Sequence, residues 1–214
     1  MSKQVFLLGC GGHGRVILDT LLSRGIYVNG IIDPGLKIGD QMFGISVVGG
    51  DNFLDHLNPI DVFLINGLGA NPSVQSRKKI FEDLKTRGFS FTGIRHPSSV
   101  VGLECDLGQS SQIMAGVVLQ NRVHIGDNVV INTRASIDHD CSIDSHTFIC
   151  AGVVLCGGVL VGKSVFIGAG AVVLPSVKIG ANVIIGAGAV VTKNIPEGRV
   201  VVGNIIYPIN WTRT

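Results

Sequence analysis

Residues 137–173 read IDHDCSIDSHTFICAGVVLCGGVLVGKSVFIGAGAVV. Ile137, Ile143, Ile149, Leu155, Val161, Ile167 and Val173 recur at every sixth position. The count continues backward through Ile131, Ile125, Leu119, Ile113 and Leu107 to Val101, and forward through Ile179 and Ile185 to Val191, with no insertion. Two residues before each sits a small or β-branched residue, as at Val129, Ala135, Cys141, Thr147 and Val153. The residue after is often glycine, as at Gly102, Gly108, Gly126, Gly162, Gly168 and Gly180. A period of six is neither the helical 3.6 nor the strand period of 2. It is the signature of a parallel β-helix, in which each hexapeptide supplies one short strand and one turn. Three hexapeptides close an 18-residue triangular coil, so residues 18 apart stack. Coils stack at about 4.8 Å. The aliphatic positions fill the interior, and glycine and Asn-type residues are expected at turns with positive φ.

The preceding ninety-odd residues follow another pattern. Gln4–Leu8, Tyr27–Asp33, Asp61–Ile65 and Phe89–Ile94 read as strands, and Gly14–Arg24 and Ser73–Arg87 as helices. Alternating strands and helices imply a small parallel sheet of about four strands. The predicted organisation is an α/β domain over 1–96 and a β-helix over 97–214.

Composition limits the function. Of 214 residues 46% are apolar and only 15% charged, as expected of a core-rich globular chain. A formal charge of +2 predicts no nucleic-acid partner. Arg77-Lys78-Lys79, the densest basic run, reads as a solvated helix face. No apolar run reaches membrane-spanning length. Five cysteines without a CxxC pair read as reduced thiols and a cytoplasmic location.

Two features carry chemistry. His139-Asp140 lies two residues past an inward Ile137, near a corner and outside the core, with Asn121 and Gly157 as its stacked neighbours. A carboxylate beside an imidazole orients it and holds its pKa up. The plain alternative is a solvated turn histidine. Cys141 is a possible nucleophile by position, but it falls in the small inward column. Ala151-Gly152, Ala169-Gly170 and Ala187-Gly188 are 18 apart and stack into a ladder with backbone polar groups but little side chain. A thin, extended amide chain fits such a ladder. Near the N-terminus, Gly9-Cys10-Gly11-Gly12-His13-Gly14 satisfies GxGxxG between a strand and a helix, and Asp33 ends the next strand. That pattern cradles a pyrophosphate at a helix N-terminus. Gly11, His13 and Gly14 are predicted to touch phosphate or sugar, Asp33 the ribose or base, and Asn66-Gly67 to close the pocket.

NTRASIDHDCSID, LCGGVLVG, FIGAGAVV and GCGGHG together resemble the bacterial hexapeptide-repeat sugar acetyltransferases, over nearly the whole chain. That family includes sialic-acid O-acetyltransferases and the UDP-4-amino-sugar N-acetyltransferases of bacillosamine synthesis. The resemblance implies a left-handed β-helix after a Rossmann-like domain, and acetyl-CoA as co-substrate without a metal. It implies His139 as general base supported by Asp140, acetyl-CoA contacts at Gly157, Ala169 and Ala187, and a sugar nucleotide on the N-terminal domain. It also implies a homotrimer with sites between neighbouring prisms. The expected reaction is direct N-acetylation of a UDP-linked 4-amino-4,6-dideoxy sugar. Alternatives are sialic-acid O-acetylation, a metal hydratase of the γ-carbonic-anhydrase kind using His124, His139 and His146, and a non-enzymatic scaffold. The sequence departs from the family at Phe148, where many members have a second histidine, and at Gly203–Ile206, where a GxPA ending is usual.

Overall fold

The computed structural model describes residues 3–208. The chain divides into two compact units. One comprises the chain through Gly69 with Ser76–Ile94, the other Ala70–Gln75 with the chain from Arg95 onward.

In the first unit, β1 (Gln4–Leu8), α1 (Gly12–Ser23), β2 (Gly30–Ile32), β3 (Gln41–Met42), β4 (Ile45–Gly49), β5 (Val62–Asn66), α2 (Gln75–Thr86) and β6 (Ser90–Phe91) follow in order. The sheet runs β3-β4-β2-β1-β5-β6. All its pairs are parallel except β3 with β4. It therefore has six strands rather than four. The extra pair is a hairpin turning on Phe43 (φ 51) and Gly44 (φ 81), a two-residue loop with both residues left-handed. Phenylalanine at the first of these positions hides the usual Asn-Gly turn signal. The strand expected over Phe89–Ile94 is two: Ser90–Phe91 closes this sheet, while Ile94–Arg95 starts a sheet of the second unit. Phe6, Leu8, Leu64, Phe81, Leu84 and Phe91 lie in the core of the first unit.

The expectation for the basic run is corrected at one residue. Lys79 is exposed, but Arg77 is only 1% exposed. Its guanidinium caps the strand end rather than meeting solvent: Nη1 donates to Asn66 O (2.7 Å) and Leu68 O (2.8 Å).

The second unit is a three-sided prism. Sheet I runs from Ile94–Arg95 through Gln112–Ile113, Val130–Ile131, Phe148–Ile149, Phe166–Ile167 and Ile184–Ile185 to a terminal hairpin, Arg199–Val202 with Ile205–Pro208. Sheet II runs from Val100–Val101 to Val190–Val191, and sheet III from Asp106–Leu107 to Lys178–Ile179. Within the hexapeptide stacks, paired residues are 18 apart, as in Leu119 with Ile137. Every sixth aliphatic from Ile113 to Val191 is buried, while Val101 and Leu107 in the first coil are half-buried. Each fully buried aliphatic contributes about 1.5–3 kcal/mol, so the repeated column is the main source of the prism's stability.

The glycines that follow the aliphatics do not serve positive-φ turns. They allow coils to approach. A methyl group on Gly108 would lie 2.6 Å from Gly126 C, and one on Gly168 2.5 Å from Ala187 N. The left-handed residues of the coils sit three past an inward aliphatic and form three corner columns. Glu104, Arg122, Asp140, Gly158 and Ser176 make one; Gly116, Arg134, Gly152, Gly170 and Gly188 a second; Asn128, His146, Ser164 and Asn182 the third. Among the described residues, no helix is long and apolar enough to cross a membrane.

Candidate active site

His139 occupies the corner between sheets II and III. Asp138 Oδ1 accepts the His139 backbone N–H (2.8 Å), and Asp140 takes the left-handed corner conformation (φ 59). The imidazole Nδ1 then lies 2.8 Å from Asp140 Oδ2. On the other side of that carboxylate, Arg122 Nη2 lies 3.2 Å from Oδ1. Arg122 is 18 residues before Asp140, so it is the same corner position one coil earlier. The side chain of His139 is 55% exposed, so a substrate can reach it.

Electrostatics follow from these contacts. The hydrogen bond that the ring donates to Asp140, with the Asp138 charge next, raises the His139 pKa, while burial and the Arg122 charge oppose it. The bond to His139 lowers the Asp140 pKa, and Arg122 adds to that. An Nδ1–H donating to Asp140 leaves the Nε2 lone pair outward in the neutral ring. Gly157 stacks one coil on: a methyl group there would lie 2.7 Å from His139 Cε1 and 2.8 Å from Nε2. Only glycine gives this ring its place. The His139 carbonyl accepts from Gly158 N–H (2.9 Å), fixing the corner to the next coil.

Cys141 points inward. It is buried, its thiol donates to Cys156 O (3.2 Å), and burial pushes its pKa up to about 11. Such a thiol is a poor nucleophile at neutral pH. Phe148 is buried and stacks on Phe166 with ring centroids 6.2 Å apart. His146 belongs to the third corner, with its Nδ1 3.0 Å from Asn128 Nδ2. His124 stands on sheet III with Nδ1 2.9 Å from Asp106 Oδ2. The three histidines thus occupy three separate places. Among the described residues, no group of three His, Cys, Asp or Glu side chains is arranged to hold a metal ion.

The Ala-Gly ladder occupies the other edge of sheet II. Gly170 N–H donates to Ala151 O (3.0 Å) and Gly188 N–H to Ala169 O (2.9 Å), so these groups form the rungs between coils. A methyl group on Gly152, Gly170 or Gly188 would meet nothing within 4 Å. The corner is therefore open along its length, with Ala169 and Ala187 beside it. One face of about six extended residues, on the order of 15–20 Å, separates it from the His139 of the same chain.

In the first unit, β1 and β5 lead at their carboxyl ends into loops on either side of the point where the strand order reverses, where a sheet of this order binds ligands. The glycines there are of two kinds. Methyl groups on Gly14 and Gly67 would lie 2.3 and 2.2 Å from Gly9 O, so these two let the loops pack. Gly11 and Gly12 meet nothing within 4 Å and face open space at the α1 N-terminus, where Gly11 makes no side-chain cap. His13 lies in the first turn of α1, beside Gly69. Asp33 holds the loop: Oδ2 accepts Cys10 N–H (2.7 Å) and Oδ1 accepts Gly35 N–H (2.8 Å). Asn66 is buried, and its Nδ2 donates to Arg77 O (3.0 Å). A cleft of about 590 Å³ opens beside Asp33, lined by Pro34, Ile38, Val48, Gly50 and Phe53 among others.

Sequence reasoning missed Arg122 and Arg77. The 18-residue spacing from Asp140 marks Arg122, whereas no periodicity marks Arg77.

Comparison with known proteins agrees with both units. Residues 158–193 match the bacterial transferase hexapeptide family (six repeats), and residues 4–84 the PglD N-terminal domain family. The chain is 34% identical to perosamine N-acetyltransferase from Caulobacter crescentus, solved with CoA and GDP-perosamine, over 92% of each chain at a TM-score of 0.85. It is 30% identical to the acetyltransferase domain of PglB from Neisseria gonorrhoeae, solved with acetyl coenzyme A, over 97% of this chain and 100% of that one at a TM-score of 0.86. WeeI from Acinetobacter baumannii shares the fold at 24% identity, over 96% of this chain and 99% of that one, with a TM-score of 0.83.

Proposed function

The chain belongs to the hexapeptide-repeat sugar acetyltransferases, the family of these relatives, and from that premise we propose that it acetylates the amino group of a nucleotide-linked 4-amino-4,6-dideoxy sugar. It is an acyltransferase with acetyl-CoA as co-substrate, and its prism is the left-handed β-helix of that family. The observation that carries the reading is His139, exposed at its corner, held through Nδ1 by Asp140 and seated on Gly157.

In the proposed reaction the neutral sugar amine attacks the thioester carbonyl, forming the N–C bond. His139 Nε2 takes the proton that the nitrogen then sheds, a step typically contributing 10²–10⁴-fold. The tetrahedral oxygen is met by a backbone N–H, that of Gly157. The C–S bond breaks, and CoA thiolate leaves and recovers the proton from the imidazolium. Gly157, Ala169 and Ala187 contact acetyl-CoA, whose pantetheine arm runs along the open ladder. Gly11, His13 and the α1 N-terminus hold the pyrophosphate, against the wall formed by Gly14, Asn66 and Gly67. The base enters the cleft beside Asp33.

A ladder and a His139 separated by one prism face call for two chains. The outward column of sheet II, with Val100, Val154 and Val190 exposed, supports a homotrimer in which this face turns to the threefold axis. The ladder corner of each copy then meets the His139 corner of the next. Free cysteines at Cys10, Cys105, Cys141, Cys150 and Cys156 and the use of acetyl-CoA support a cytoplasmic setting. The nucleotide of the first reading is UDP. GDP is the second, favoured by the relative solved with GDP-perosamine.

CoA release from acetyl-CoA, with UDP-, GDP- and dTDP-linked 4-amino sugars and free sialic acid, tests the proposal. Fast release with one nucleotide amino sugar, lost in His139→Ala, is the expected result. Release with sialic acid alone reverses the assignment to O-acetylation, and unchanged turnover by His139→Ala removes the mechanism.

A further inference from the structure

Arg77 is fully buried on α2, and Nε and Nη2 have no hydrogen-bond partner among the described residues. No carboxylate pairs with it there either. Burial alone lowers its pKa to about 9. A buried cation without a counter-charge is unfavourable, so its placement asks for a reason.

The single nitrogen that is engaged answers part of this. Nη1 binds two carbonyls of one loop, Asn66 O and Leu68 O, while Asn66 Nδ2 binds Arg77 O in return. That loop leads into the ligand end of the sheet. Gly67 N–H donates to Leu8 O (2.8 Å), and Gly67 is packed against Gly9 O. In a trans peptide the N–H points opposite to the C=O. With Leu68 O turned to the guanidinium, the N–H of the same peptide, on Gly69, turns away from it. Gly69 is exposed and adjoins His13 at the α1 N-terminus.

We infer that Arg77 is a positioning residue for the sugar nucleotide's diphosphate: it fixes the 66–69 loop so that the Gly69 N–H joins the α1 N-terminus, and its buried charge favours an anion there. The inference rests on the proposed role of the first unit. The charge has no carboxylate partner among the described residues, and a diphosphate supplies a counter-charge across the loop.

The test uses the full-length protein, with Arg77→Lys and Arg77→Met. UDP and GDP affinities are measured by calorimetry, alongside kcat and the KM for acetyl-CoA at saturating amino sugar. Arg77→Met is expected to weaken the tighter nucleotide by roughly ten- to a hundredfold, and Arg77→Lys by less. The kcat and the acetyl-CoA KM stay within twofold of wild type. Unchanged nucleotide affinity in a folded variant overturns the inference, as does a parallel loss of all three quantities, which marks a purely structural residue. Arg77→Lys decides the matter if Arg77→Met does not fold. A wild-type protein that binds neither nucleotide overturns the assignment of the first unit itself.

Discussion

Two corners of the prism share one backbone conformation and use it for opposite ends. At the His139 corner, φ is 60 at Arg122 and 59 at Asp140; at the ladder corner it is 68 at Gly152 and 67 at Gly170 and Gly188. A side chain in this region costs about 1 kcal/mol or more. The first corner accepts that strain and gains a guanidinium and a carboxylate that orient a histidine. The second avoids it at Gly152, Gly170 and Gly188 and gains an open strip there. The difference shows that a repeat fold, uniform in its interior, differentiates its surface at the corners, where a side chain carries a backbone cost.

Removing the group that the charged corner exists to hold gives the largest expected effect. His139→Ala should lower kcat by about 10²–10⁴-fold and leave thermal stability near wild type, since the ring is outside the core. The next test forces one corner's rule on the other. Gly170→Leu should raise the acetyl-CoA KM at least roughly tenfold by filling the strip, with the amino-sugar KM unchanged; equal effects on both substrates would break the comparison. Gly157→Ala belongs to the charged corner instead. Its methyl displaces the imidazole, so kcat falls by about 10–100-fold with little change in KM, as steady-state kinetics would show.

The pH dependence sharpens the electrostatic half. A base works when deprotonated, so kcat/KM rises with pH through the His139 pKa, which is raised above the ordinary histidine value. Asp140→Asn removes the main cause of that rise and should move the acid limb to lower pH. Arg122→Gln removes a charge that lowers the pKa, so the limb should move to higher pH. Shifts of the same sign would refute the assigned roles. The smallest effect concerns strain itself. Replacing Arg134, exposed at φ 57 in the ladder column, by glycine should add about 0.5–1 kcal/mol of stability, a Tm rise of roughly 1–4 °C.

The prism is legible because one spacing governs burial, stacking and corners together. Counting sixes predicts Ile113 through Val191 inside, and counting eighteens sets Gly157 against His139. The same count marks Arg122 as soon as Asp140 is chosen. It gives the glycines after each aliphatic the wrong reason, because close approach between coils leaves no mark that distinguishes it from a turn. The α/β unit offers no such ruler. Its hairpin turns on Phe43-Gly44 rather than on Asn-Gly, and Arg77 reads like its solvated neighbour Lys79. Burial of Arg77 is decided by the loop that it meets, eleven residues back along the chain.

The hairpin of Arg199–Val202 and Ile205–Pro208 at the end of sheet I bears on how a stack of strands is closed off. A column of parallel, in-register strands at about 4.8 Å spacing has the geometry of a fibril, and an unprotected end would accept another strand. Among the described residues, sheet I ends on a strand running the other way, with Pro208 paired to Arg199. Proline brings no N–H to a ladder. The reversal makes that end of sheet I unlike its interior, so a further parallel, in-register strand finds no matching edge on that sheet.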